Sequence, residues 1–169
     1  MNRNVRRYGV WVLSTLVGAF LLMVSARANS PIVVTSTNDL IADDNSCSLR
    51  EAIIAANSDT PFGDCAGGSG ADTIVFAATL PKPAIFLLTT SGANEDGAQT
   101  GDLDVSGELT ISGAQADEII IDGNGADRVF EIRGGARVAI TGVTMRNGNP
   151  GAAADGGGLL VDLSARLTL

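Results

Sequence analysis

The acidic and basic side chains that could do chemistry lie mainly between residues 95 and 146. Asp102 and Asp104 alternate along a strand-like stretch, so both carboxylates could reach one hard cation such as Ca²⁺. The alternative is that these aspartates occupy turns, where an Asp side chain binds the local backbone. The other charged candidates are Asp96, Asp122, Arg128, Arg133 and Arg146.

A carboxylate pair for glycoside cleavage can be assembled from Glu95 with Asp96 or Glu108. An acidic chain supplies such pairs by chance, so the pair alone does not indicate an enzyme. The sequence contains no histidine, which excludes a triad that uses a histidine base. We therefore favour a protein without catalysis of its own, expect no cofactor, and assign no catalytic, cofactor-binding or metal-ligating residues.

The stretch that would position these side chains is a ladder of short strand-like segments, each ended by Gly, Asn or Asp. Large apolar residues alternate within each segment, which is typical of a strand with one buried face. Related segments begin at Leu109, Val138 and Leu167, and this 29-residue spacing (138 − 109 and 167 − 138) indicates a stacked repeat. The predicted inward pairs are Leu109 and Ile111, Ile119 and Ile121, Phe130 and Ile132, Val138 and Ile140, and Leu167 and Leu169.

The sequence also predicts a corner within the ladder and a loop before it. The apolar alternation changes phase after Gly142, which predicts a corner there because a strand cannot change face without a bend. Residues 90–108 are polar, acidic and rich in glycine, and we predict a long loop that projects from the stack.

Residues 1–28 have the layout of a secretory signal peptide. Three arginines precede a mainly apolar run over residues 10–24, and the small residues Ala26 and Ala28 follow it, so cleavage is expected after Ala28. The alternative is an uncleaved membrane anchor, because the 19 residues that begin at Tyr8 carry no charge. The Ala-Arg-Ala sequence favours cleavage, an exported protein, and no membrane span after cleavage.

The charge balance beyond residue 28 is strongly acidic. That part carries 7 basic and 19 acidic residues, a net charge of −12 (7 − 19). Such a surface disfavours nucleic acid and anionic membranes as partners. We expect a secreted, extracellular or outer-membrane-surface location, with a polysaccharide or a host or cell-surface ligand as the partner to consider.

A short helix is predicted just before the ladder. Ser48 and Glu51 have the spacing of a capping box, and Asn57 is a plausible C-terminal stop. Arg50 is expected to form an ion pair at the helix. The helix would cover the open first coil of the stack with one apolar stripe, formed by Leu49, Ala52, Ile53 and Ala56.

The chain contains two cysteines, Cys47 and Cys65. In an exported protein an isolated pair is most simply a disulfide. Two free thiols or half of a metal site are the alternatives, although a zinc site would lack enough soft ligands in a chain without histidine or further cysteine.

Residues 47–52 read Cys-Ser-Leu-Arg-Glu-Ala, and this hexapeptide resembles the signature of the CSLREA-domain family of exported bacterial proteins. The segments at residues 33–39, 70–76 and 100–105 agree with it, and the likeness covers essentially all of residues 32–169. The resemblance implies a right-handed parallel β-helix of pectate-lyase-like shape and, more loosely, kinship with polymorphic outer-membrane proteins. Family members usually continue for several hundred residues, so we expect either the N-terminal piece of a longer native chain with further coils or a truncated reading frame.

The resemblance completes the predicted organisation and function. The fold is expected to be all-β: a signal peptide at residues 1–28, an N-terminal cap with the helix at 29–66, and β-helix coils at 67–169, incomplete at the C-terminus. Some pectate-lyase-like proteins are enzymes that use carboxylate-bound calcium and an arginine or lysine base. We expect a structural or adhesin-like surface module, with a polysaccharide-binding or polysaccharide-cleaving β-helix as the alternative.

Overall fold

A computed structural model describes residues 30–92, 95–151 and 155–169. The predicted signal peptide lies outside these ranges. Within them the chain is mostly strand with one short helix, and no described helix has the length and apolar character needed to cross a membrane. The elements are β1 (Ile32–Val34), α1 (Leu49–Ser58), β2 (Ala71–Phe76), β3 (Ala84–Leu87), β4 (Leu103–Val105), β5 (Glu108–Ser112), β6 (Ile119–Asp122), β7 (Phe130–Ile132), β8 (Arg137–Thr141), β9 (Thr144–Arg146), β10 (Leu159–Val161) and β11 (Arg166–Thr168).

The strands form three parallel sheets, ordered β1-β2-β5-β8-β11, β4-β7-β10 and β3-β6-β9. From β2 onward the chain visits the three sheets in a fixed rotation, so each strand pairs with the strand three places later. Glu108 pairs with Arg137, which pairs with Arg166, and these register partners are 29 residues apart (137 − 108 and 166 − 137). The all-β, parallel character predicted from the alternation is therefore present.

The interior is filled mainly by aliphatic side chains, with the aromatic rings of Phe86 from β3 and Phe130 from β7. Four of the five predicted inward pairs are confirmed, because all eight residues from Leu109 to Ile140 in those pairs are 6% exposed or less. The fifth pair is wrong in part: Leu167 is half-buried and Leu169 is 74% exposed. Leu167 lies in β11 and Leu169 directly follows it, and β11 has a described strand on only one side.

The predicted corner at Gly142 is confirmed. β8 ends at Thr141 in the five-stranded sheet, and β9 belongs to a different sheet. Gly142 has a φ of +62°, which favours glycine. A Cβ on Gly142 or on its counterpart Gly113 would overlap the other's backbone, so the two corners stack closely because neither has a side chain.

The helix packs against β1, β2 and β4, and β1 and β4 are edge strands of their sheets. It is buried on more than the one predicted stripe, since every residue from Leu49 to Ala56 is buried. The predicted stop at Asn57 is also wrong, because α1 continues to Ser58 and Asp59 adopts the left-handed conformation at its end. The Asn57 side chain instead donates from Nδ2 to the Asp104 carbonyl oxygen at 2.7 Å, and its Oδ1 accepts from the Ser106 backbone amide at 2.9 Å.

The described residues of the segment 90–108 do not form the predicted projecting loop. They contain β4, and Ala98 and residues 101–105 are buried. Three carbonyl groups of this segment bind the buried Arg50 side chain, which holds the segment against the helix. The glycine-rich, acidic composition of this segment did not indicate that Arg50, 48–52 residues earlier in the chain, would bind its carbonyl groups.

The predicted pairing of the two cysteines is present. Cys47 and Cys65 form a disulfide with their Cα atoms 4.8 Å apart, and both residues are buried. The Cys47 carbonyl oxygen accepts the amides of Thr35 and Ser36, just after β1. The disulfide therefore ties the start of the helix and the end of β1 to the segment that follows the helix.

Candidate functional site

The helix begins with reciprocal hydrogen bonds between Ser48 and Glu51. Ser48 Oγ accepts from the Glu51 amide at 3.2 Å, and Glu51 Oε2 accepts from the Ser48 amide at 2.9 Å. The second Glu51 oxygen, Oε1, accepts from the Ala42 amide at 2.9 Å. Glu51 thus satisfies helix-terminal donors and also fixes the segment that precedes the helix.

Arg50 is the most highly connected side chain of the cap. Its Nε and Nη2 donate to the two carboxylate oxygens of Asp39, at 2.6 and 3.1 Å. Its Nη1 donates to the carbonyl oxygens of Ala98 and Asp102, at 2.9 and 3.2 Å, and Nη2 also donates to that of Gly101 at 2.9 Å. The side chain is 0% exposed. A buried guanidinium whose donors are all used is a structural anchor, consistent with the ion pair expected at this position.

Asp39 extends this anchor to a third segment. Its Oδ2 accepts the amides of Thr89 and Thr90, both at 2.8 Å, just after β3. Asp39 and Arg50 therefore join the helix, the β3 exit and the segment at residues 98–102. Burial alone would raise the pKa of Asp39, but the hydrogen bonds and charge of Arg50, together with the two threonine amides, hold it below its usual value.

The lowered pKa of Asp39 predicts a defined acid sensitivity. The stability that Asp39 contributes is fully present above the unfolded-state pKa of about 4 and is lost as pH falls through the lower folded-state pKa. We expect the free energy of unfolding of Asp39→Asn to change less between pH 2 and pH 4 than that of the wild type. Urea unfolding across this range measures it, with exposed Asp43→Asn as the control. Parallel curves for wild type and Asp39→Asn would contradict the assignment.

The segment that Arg50 holds in place, at residues 98–102, lies beside the β4–β7 pair, and a group of carboxylates lies on the outer face of this pair. Leu103 and Val105 of β4 face the core, yet the intervening Asp104 is also 0% exposed. Asp104 lies in register with Glu131 on β7. Oxygens of Asp96, Asp104 and Glu131 all lie within 4.8 Å of one another. We call these three residues the carboxylate cluster.

Two arginines partly neutralise this cluster. Arg133 Nη1 contacts Asp96 Oδ1 at 2.7 Å and Glu131 Oε1 at 2.6 Å. Arg128 Nη1 lies 3.4 Å from Glu131 Oε2 and 3.7 Å from Asp102 Oδ2. Neither arginine forms an ion pair with Asp104.

Asp104 is therefore a buried acid with a hydrogen-bond partner, within the described part of the chain, for only one of its two carboxyl oxygens. Its Oδ2 accepts the Ala98 amide at 3.1 Å, whereas its Oδ1 has no hydrogen-bond partner among the described residues. Burial raises its pKa to about 7; the Ala98 amide opposes that rise, and the charges of Asp102, Glu95 and Glu131 add to it. Burial, with the charges of Asp127 and Glu131, likewise raises the pKa of Asp102 to about 6.

The structure brings together five of the seven charged candidates named from the sequence: Asp96, Asp102, Asp104, Arg128 and Arg133. The other two are elsewhere, because Asp122 and Arg146 pair with each other at 2.7 Å on the β3-β6-β9 sheet. Glu95 accepts the amides of Gly97 and Thr100. Glu108 is exposed on β5 of the five-stranded sheet, so a sugar-cleaving pair with Glu95 has no support in the geometry.

Three residues of the site were not recognised in the sequence: Asp39, Asp127 and Glu131. Glu131 offered a usable signal, because the residue between two inward apolar residues of a strand must face outward. Asp39 offered no signal beyond its place in the polar dipeptide Asn38-Asp39, and only the packing of the cap shows that Arg50 is its partner.

A second polar surface lies on the outer face of the five-stranded sheet. An open groove of about 300 Å³ is lined along its length by Glu108, Arg137 and Arg166, with Thr110 and Thr168 beside them. Arg137 and Arg166 are in-register neighbours, and neither forms an ion pair with another described residue. Adjacent like charges repel, so an anionic ligand would stabilise this arrangement.

In comparisons with protein-family models, curated proteins and solved structures, the chain matches none of them. The resemblance at residues 47–52 therefore stays a prediction, and function has to be argued from the geometry above.

Proposed function

We propose that the protein is an exported, right-handed parallel β-helix module with a structural or adhesin-like role at the bacterial surface and no catalysis of its own. The observation that carries this proposal is the register of Glu108, Arg137 and Arg166 across β5, β8 and β11. Across these three strands the chain returns to the same sheet position after 29 residues each time, having visited two other parallel sheets, and this matches one coil of a β-helix per return.

The handedness follows from a general rule for parallel strands. A connection between parallel strands of one sheet is right-handed in about 98% of cases, because of the twist of the strands. Every consecutive pair within the three sheets is parallel. The coils are therefore proposed to wind to the right.

The two ends of this stack differ, which favours a role as the capped beginning of a longer rod. The helix covers the end that contains β1. At the other end β9, β10 and β11 each pair with only one described strand, and Leu163 and Leu169 are 95% and 74% exposed. Unpaired strand edges with exposed apolar residues favour continued pairing. We propose that further coils of a longer native chain cover this end.

Export is supported by three independent features. Residues 1–28 have the layout of a signal peptide. The cap contains a disulfide, and such bonds persist in oxidising compartments. The net charge beyond residue 28 is −12 (7 − 19), which suits a soluble surface exposed to the medium.

The surface role is tested by locating the protein in a bacterium that expresses the complete reading frame. We expect it in the outer-membrane or medium fraction, and we expect protease added to intact cells to remove the cell-associated part. A cytoplasmic marker protein that survives the protease is the control. Recovery of the protein in the cytoplasm, protected from protease, would overturn the proposal.

The groove with Arg137 and Arg166 supports a second candidate, a polysaccharide-binding β-helix. Two unpaired arginines along one groove suit a carboxylate-bearing polymer better than a neutral one. We expect retention of the protein on an immobilised acidic polysaccharide to fall in the double variant Arg137→Ser/Arg166→Ser, with Lys82→Ser as the control for loss of exposed positive charge. Equal retention of all three proteins would exclude this groove as the binding surface, and shortening of the polymer would point to cleavage.

A further inference from the structure

We propose that the carboxylate cluster of Asp96, Asp104 and Glu131 is a calcium site, and that Arg133 occupies it when calcium is absent. This proposal does not depend on the protein being exported or on its surface role. It replaces the expectation, drawn from the sequence, that the chain has no metal-ligating residues.

The first argument is the unpartnered oxygen of Asp104. An acidic residue that is 0% exposed normally has hydrogen-bond partners for both carboxylate oxygens, but Asp104 Oδ1 has none among the described residues. It shares the outer face of the β4–β7 pair with Glu131, its register partner. A buried carboxyl oxygen without a partner is costly, and a bound cation would remove that cost.

The second argument is the geometry of the three oxygens. Ca²⁺ binds oxygen at about 2.3–2.6 Å, so ligands on opposite sides of the ion are about 4.6–5.2 Å apart. The three cluster oxygens lie within 4.8 Å of one another, which fits a shared ion. Mg²⁺ requires about 2.0–2.1 Å and near-octahedral geometry, so this spacing suits calcium better. An all-oxygen site is also unsuited to zinc or copper.

The third argument is local charge. Asp102, Asp127 and Glu95 act electrostatically on the cluster or its neighbours. With the three cluster residues they make six carboxylates, against two arginines, Arg128 and Arg133. This local excess of negative charge favours binding of a divalent cation.

Arg133 explains how the cluster remains folded without the ion. Its Nη1 bridges Asp96 and Glu131, where a cation shared by these two residues would sit. Arg133 does not partner Asp104, and its side chain is 27% exposed, so the guanidinium has a route into solvent. Calcium would replace Arg133 as the partner of Asp96 and Glu131 and would also bind Asp104.

The test is isothermal titration of calcium chloride into the purified, disulfide-intact protein after treatment with a chelator. We expect one site with a dissociation constant of about 10⁻⁴–10⁻³ M, the range of extracellular calcium modules. Arg133→Ala should bind about tenfold more tightly, because the competing charge is gone. Asp104→Asn should lose binding at least about tenfold.

Arg146→Ala is the matched control, since Arg146 also pairs with a buried aspartate but on a different sheet. Its affinity for calcium should equal that of the wild type. Absence of binding to both wild type and Arg133→Ala would overturn the proposal, as would unchanged affinity in Asp104→Asn. Weaker binding by Arg133→Ala would overturn the role of Arg133 as the competitor.

Discussion

Replacement of Arg50 by methionine is expected to lower the free energy of unfolding by about 3–5 kcal/mol, the usual cost of breaking a buried ion pair from one side. The substitution leaves the Asp39 carboxylate buried without its cationic partner and frees three carbonyl oxygens, those of Ala98, Gly101 and Asp102. Most domains are stable by only about 5–15 kcal/mol, so the variant is expected to be close to unfolding. Urea denaturation with the disulfide intact measures the loss.

Two further variants separate the hydrogen bonds of Arg50 from its charge. Arg50→Lys keeps the charge but cannot reproduce a bidentate contact with Asp39 and three carbonyl contacts at once, so it should remain strongly destabilised. Arg137→Met removes an exposed arginine of the five-stranded sheet and should change stability by less than about 0.5 kcal/mol. A loss of under 1 kcal/mol in Arg50→Met, on the order of a surface ion pair, would contradict the anchor role.

Removal of the disulfide by the double substitution Cys47→Ala/Cys65→Ala is expected to cost about 3 kcal/mol. The two cysteines are 18 positions apart, and the bond restricts the unfolded chain over that loop. In the folded protein it fixes the helix start, which also binds the end of β1 through the Cys47 carbonyl. The denaturation midpoint in urea measures the effect.

The wild-type protein in reductant provides the matched comparison for the disulfide. Reduction should lower its midpoint by nearly the same amount, and reductant should leave the double variant unchanged. If reduction leaves the wild-type midpoint in place, the disulfide does not support the cap, and the cap would then rest on the Asp39–Arg50 anchor alone.

The repeated and local features of the fold could be predicted from the sequence. Alternation located the inward residues of β5 to β8 because a buried strand face has a period of two residues. The phase change located the corner at Gly142, and the spacing of Ser48 and Glu51 indicated where the helix begins. Each of these features depends on residues only a few positions apart.

The contacts between distant segments could not be predicted. Arg50 meets Asp39, Ala98, Gly101 and Asp102 only because the helix and the segment after β3 pack against each other. Residues 98–105 were therefore misread as part of a projecting loop, since their polar composition hides their burial. Two of the three residues of the carboxylate cluster, Asp96 and Asp104, were among the charged candidates in the sequence, but the register that places Glu131 beside Asp104 was not visible there.

The most direct test of the central claim, an exported module with a disulfide-stabilised cap, is the intact mass of the protein recovered from cells that express the full reading frame. The account predicts a chain that begins at Asn29 and gains two hydrogens on reduction, because cleavage is expected after Ala28 and Cys47 is bonded to Cys65. An intact N-terminal Met1 together with two free thiols would contradict export, and the proposed surface role would be wrong with it.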